Sequence, residues 1–148
     1  MKKRNISAHI TLWANRLIAC ILLLLLFTIN WLLDWYCDRR FLSADERWAI
    51  QCAFYCCAVA VGAALWLMEG LLRNILRQQV FIRENVRKIQ WIAGCCALVS
   101  GICLPASMIY YPLIFVVVIM AFLCLVVSVV AQVMDAAVSL REENDLTV

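Results

Sequence analysis

Histidine is almost missing from this 148-residue chain: His9 is the only one. A haem held by two histidines is therefore excluded, and no histidine metal site or other cofactor is expected. Charge is scarce as well. Asp, Glu, Lys and Arg make up 16% of the sequence, and the 46 positions from Ile89 to Met134 contain none. No acid falls in the middle of an apolar run, where a proton carrier would be sought; Glu69 and Asp135 stand only at run ends. The C-x-x-C motif is absent too. Most of the nine cysteines, such as Cys20, Cys57, Cys96, Cys103 and Cys124, lie inside apolar runs and read as small core residues. The adjacent pairs Cys56-Cys57 and Cys95-Cys96 point in diverging directions on a helix, so neither dithiol nor metal chemistry is expected.

What the chain has in excess is apolar surface. Hydrophobic residues make up 66% of it, against roughly half in a soluble domain, which predicts a protein integral to a lipid bilayer. The length allows one domain and no soluble catalytic domain beside it. Leu17 to Leu33 is uncharged for 17 residues and Trp48 to Met68 for 21, each long enough to cross as a helix. As one helix, the 46-residue run would rise about 69 Å, more than twice the roughly 30 Å hydrocarbon thickness. It must fold back, and Pro105 and Pro112, which lack amide donors, bracket the expected turn with Tyr110 and Tyr111 at the interface. The spans are thus about 17–36, 48–72, 89–104 and 113–134. Lys2-Lys3-Arg4 ahead of the first run resembles a signal peptide, but no small-x-small cleavage site follows, and the run reads as a retained span.

Orientation follows from the stretch Leu72 to Lys88, in which Arg73, Arg77, Arg83, Arg87 and Lys88 oppose one acid, Glu84. By the positive-inside rule this loop, 73–88, is cytoplasmic, which leaves ten of the thirteen cations inside and three outside. The expected fold is an all-α integral membrane protein, a four-transmembrane-helix bundle with both termini cytoplasmic and a cytoplasmic tail over 135–148. The net charge of +3 favours anionic headgroups and is not read as direct nucleic-acid binding. Ser43 with Glu46 fits a capping box at the second span. Ala58 with Gly62, Ala60 with Ala64, and Ala93, Ala97 and Gly101 are small-residue pairs that allow close helix approach, within the chain or in a homo-oligomer. Glu69 and Arg73 are four apart, and with Arg16 and Asp135 they are candidates for interfacial ion pairing. The second helix is expected to reach Gln78, the third to open at Glu84 or Asn85, and the fourth to reach about Leu140.

The chain closes on Glu142, Glu143, Asn144, Asp145, Leu146, Thr147 and Val148, and Phe81, Glu84, Asn85 and Val86 follow the second span. In these two segments it resembles the DUF2975 family of bacterial four-span membrane proteins of unknown function. The family's loop usually carries a glycine and a Ser/Thr cap, where this chain has Gln78, Gln79 and Ile82. The resemblance implies a bacterial cytoplasmic (inner) membrane protein, and members are often encoded beside a small helix-turn-helix regulator. It implies no reaction.

The chain is accordingly not expected to be an enzyme. A membrane thiol oxidoreductase needs paired, accessible cysteines, and only Cys37, with Cys52, approaches the outer side. Acids at a helix end oppose its dipole, so the acidic tail is not explained by helix stability. The expectation is an interaction or regulatory protein that binds a cytosolic partner, such as a DNA-binding regulator. It would do so through Arg73, Arg77, Phe81, Arg83, Glu84, Asn85, Arg87 and Lys88 and the last seven residues. The alternative is a small transporter or a transporter accessory subunit.

Overall fold

A computed structural model describes residues 2–77 and 79–146, with the side chains of 9–77 and 79–144. Four helices account for nearly all of it: α1 (Lys2–Arg40), α2 (Ala44–Leu76), α3 (Arg83–Ile109) and α4 (Leu113–Leu146). Each is long and apolar enough to cross a membrane, and no strand occurs among the described residues. All four outrun the uncharged stretches that predict them. Charges set where a helix can sit in a bilayer, but they do not stop its hydrogen-bond ladder, and Leu, Arg, Glu and Ala all propagate helix well. The amino arm is therefore helical from Lys2, and the tail is helical six residues past Leu140.

The connections are short and built from local chemistry. Between α1 and α2, Phe41 takes φ 52° and the Leu42 N–H bonds back to the Cys37 carbonyl at 3.4 Å, the bond that closes a helix through a left-handed residue. Ser43 and Glu46 then form the expected box. The Ser43 amide donates to the Glu46 carboxylate at 2.8 Å, and the Glu46 amide donates to the Ser43 hydroxyl at 3.3 Å. Between α3 and α4 the turn is tighter than expected. α3 runs through Pro105 to Ile109, and only Tyr110, Tyr111 and Pro112 lie between the helices. Pro105 forfeits one backbone bond, to the carbonyl of Gly101. Burial beyond it compensates, because Ser107 is buried and its hydroxyl donates to the Leu104 carbonyl at 2.6 Å.

Packing follows chain order: α1 on α2, α2 on α3 and α3 on α4, with no pairing of α1 and α4 among the described residues. The bundle is therefore open along one side. α3 is its central helix, with Ile89, Ile92, Ala93, Cys95, Val99 and Cys103 all buried. Val99 and Cys103 meet Ala60 of α2 and Val117 of α4 in one core cluster. Of the small residues, Ala58, Ala60 and Ala93 are buried, whereas Ala97 and Gly101 are exposed and do not face a neighbour in the chain. α4 turns Phe115, Phe122, Leu125, Val129 and Val133 outward, an apolar surface suited to lipid. At the end carrying the α1–α2 and α3–α4 turns, Asp34 pairs with Arg47 at 2.5 Å, and the hydroxyls of Tyr36 and Tyr110 share a hydrogen bond of 2.8 Å.

Candidate functional site

The opposite end holds the basic loop, and its shape depends on one side chain. Asn85, in the first turn of α3, is completely buried. Its side-chain N–H groups donate to the carbonyls of Gln79 at 2.7 Å and Val80 at 2.9 Å, and its oxygen accepts from the Asn74 amide at 2.8 Å. Turn carbonyls have no partner in a helix ladder and need donors, and this amide supplies two. The N-cap residue, Ile82, is extended and has no capping side chain. Asn85 thus fastens the turn from inside, where a Ser or Thr at the cap would only have tied off the start of α3. Asn74 was not distinguished by its sequence context.

Around this anchor the charges sort into three sets. Glu69 accepts from Arg73 at 2.7 Å and from Arg16 at 3.1 Å, which joins α1 to α2. Glu84 pairs with Lys88 at 2.6 Å, one turn along α3. The Lys88 stem lies against Gly70, where an added Cβ would stand 3.2 Å from its Nζ. Arg83 grips Glu142 of α4 through two nitrogens, Nε at 3.0 Å and the terminal nitrogen at 2.7 Å. Neighbouring cations hold two carboxyls below the usual carboxylate range: Lys88 acts on Glu84, and Arg83 on Glu142. Phe81, 45% exposed, borders a cleft with Ile82, Arg83, Val138 and Glu142.

These positions correct parts of the sequence reading. α2 ends at Leu76, short of Gln78, and α3 opens at Arg83. Asp135 stands outside the Arg16–Glu69–Arg73 set: it is exposed and makes no ion pair among the described residues. Among the described residues α4 packs on α3 and not on α1 or α2, and the Asp135 charge acts on Arg83 of α3. Arg77 and Arg87 are exposed without an ion pair among the described residues, and Lys88 turns to its own helix, not to the tail. Glu142 of the tail reaches the basic loop through Arg83. Glu143 and Asn144 are exposed on α4. The side chains of Asp145 and Leu146, and all of Thr147 and Val148, lie outside the described residues.

Four long apolar helices in sequential pairs, with charged groups gathered at both ends, make this chain a multi-pass helical membrane protein by class. It belongs to the DUF2975 family, proteins of unknown function, whose pattern matches residues 40–148. The match begins at the last residue of α1, so it spans α2, α3, α4, the basic loop and the tail, and leaves α1 outside. No curated protein and no solved structure matches the chain.

Proposed function

We propose that this protein is a bacterial inner-membrane interaction protein, with both termini in the cytosol, that binds a cytosolic partner on the surface built by its basic loop and acidic tail. The observation that carries this reading is the Arg83–Glu142 pair, which joins segments 59 residues apart in the sequence. Arg83 lies six residues before the uncharged run and Glu142 eight after it, about 9 Å and 12 Å of helix. The headgroup layer is only about 5–7 Å deep on each side. At that height the surface meets the cytosol, so a protein partner suits it better than lipid phosphate. Arg77, Arg87 and Arg141 stay exposed there without an ion pair among the described residues, and exposed charge of one sign steers association.

The partner class is the small helix-turn-helix DNA-binding regulator that the family resemblance implies. Glu69, the acid nearest the apolar stretch of α2, is held by two guanidiniums, which favours positioning over proton transport. The test is a crosslinking pull-down from native membranes with the full chain, with a chain lacking residues 142–148, and with Arg83→Glu. The expected result is capture of one DNA-binding regulator by the full chain and loss of capture by both variants. Unchanged capture by both would remove the loop and tail from recognition.

A further inference from the structure

The loop–tail surface stands too high for lipid phosphate, but a second group of charges lies lower. Glu69 and Lys88 are the charged residues that adjoin the uncharged stretches of α2 and α3, each about 1.5 Å of helix from the apolar boundary. Arg73 folds back to that level, because its terminal nitrogen donates to Glu69 at 2.7 Å. The three groups therefore fall within the headgroup layer, about 5–7 Å deep. Together they border a cleft of about 210 Å³ between α2 and α3, which Trp66 and Gly70 complete. Trp66 is 79% exposed, and tryptophan favours the level of the headgroups. Gly70 leaves Lys88 room to reach across α2.

Charge and donors are both in excess here. Arg16 and Arg73 share the single carboxylate of Glu69, and Lys88 pairs with Glu84, so three cations face two acids and one positive charge is left over. A guanidinium has five N–H donors and an ammonium three, more than these pairs use. Beside the cleft runs an apolar groove of about 270 Å³, walled by Ala19, Leu22 and Leu23 of α1 opposite Gly62 and Leu65 of α2. Trp66 and Glu69 border both spaces, so the two adjoin where the bilayer turns from polar to apolar. Gly62 keeps the groove open, since a Cβ there would meet nothing within 4 Å.

We propose that cleft and groove together bind an anionic phospholipid, with its phosphodiester between Arg73 and Lys88 and one acyl chain along the α1–α2 groove over Gly62. The phosphodiester supplies the negative charge that the cleft lacks, and its oxygens accept charge-assisted hydrogen bonds from the spare donors. A zwitterionic headgroup brings a cation of its own into a site already in positive excess. The site therefore prefers the anionic lipid. Free phosphate would fill the cleft alone, whereas the adjoining groove selects a molecule with a chain.

The test is native mass spectrometry of the full chain released from nanodiscs of equal parts phosphatidylglycerol and phosphatidylcholine, with unfolding temperatures read in detergent as each lipid is added. The expected result is retention of phosphatidylglycerol ahead of phosphatidylcholine, and a raised unfolding temperature with phosphatidylglycerol alone. Arg73→Gln combined with Lys88→Gln weakens that binding about 30-fold, the effect of taking two cations from beside an anionic headgroup. Gly62→Leu removes no charge but fills the groove and also loses the lipid, so it carries the test if the double variant fails to fold. Arg87→Gln, outside the cleft, keeps the lipid. A parallel arm adds inorganic phosphate. Stabilisation by phosphate equal to that by phosphatidylglycerol, with Gly62→Leu binding as the wild type does, overturns the lipid; equal retention of the two lipids, or equal loss in Arg87→Gln, overturns the site itself.

Discussion

Asn74 donates its side-chain amide to Asn85 at 2.8 Å, tying the last turns of α2 to the first turn of α3 beneath the basic loop. With the Gln79 and Val80 carbonyls also on Asn85, the turn is organised by a buried amide rather than by its arginines. Removing that amide takes the donors from two turn carbonyls and the acceptor from Asn74. Asn85→Ala is expected to destabilise the protein by about 1–3 kcal/mol per group left unsatisfied, read as a lower unfolding temperature in detergent. Asn85→Asp is expected to do at least as much harm, because a carboxylate cannot donate to either carbonyl. Wild-type stability in both variants would refute this account of the loop.

Gly70 is the glycine whose lost hydrogen matters. Gly70→Leu places a side chain where Lys88 lies and should expel the lysine from α2, whereas Gly62→Ala and Gly101→Ala meet nothing within 4 Å. The expected outcome is a Lys88 that reacts faster with amine-labelling reagents in the Gly70 variant alone. Equal labelling in all three would show that Lys88 does not depend on that gap.

The loop–tail contact should depend on both salt and acid. Glu142 has its carboxyl lowered from an ordinary 4.5 by Arg83. The pair is therefore fully formed above pH 4.5, and the contact is lost only as the pH falls through the lowered value. Spin labels at Gln79→Cys and Arg141→Cys in an otherwise cysteine-free chain are expected to report one short distance at neutral pH. That distance should broaden in strong acid and in molar salt, since exposed pairs are screened. A distribution unaffected by either condition would mean that the apolar contacts of Ile82 and Val138 hold the tail without the ion pair.

Glu69 is expected to position α1. Glu69→Gln weakens its hold on Arg16 and Arg73 and should speed hydrogen exchange of α1 near Arg16, while proton flux through reconstituted liposomes stays at background. A proton current in the wild-type protein that disappears in Glu69→Gln would favour the transporter reading.

Orientation is tested by reporters. A reporter active only in the cytosol is expected to work when fused after Val148 and to be silent when inserted at Ser43. The opposite pattern would place the Arg83–Glu142 surface outside the cell and end the proposal of a cytosolic partner.

The number of helices, their approximate centres and the capping box at Ser43 were legible in the sequence, because each depends on neighbours along the chain. An uncharged run of 21 residues is a span wherever its partners lie, and Ser43 reaches Glu46 within one turn. Helix ends were less legible. Charge marks where a helix should leave the bilayer, and α1 and α4 simply continue as helix beyond that point. Pro105 misled for a related reason: the backbone bond it forfeits is a local cost, whereas the burial of Ser107 beyond it is tertiary. Loop and tail were read as parts of one binding surface, but which side chains meet across it was not legible: Arg83 pairs with Glu142. Arg16 and Glu69, candidates for ion pairing by their place at the helix ends, do pair, whereas Asn74 on Asn85 and Cys57 on Cys103 had no signal of their own. Such pairs depend on how far each helix is rotated about its axis and how deep it sits against its neighbour. Every residue contributes a little to that rotation and none determines it, so spans could be read one stretch at a time, while partners emerged only when all four helices were packed.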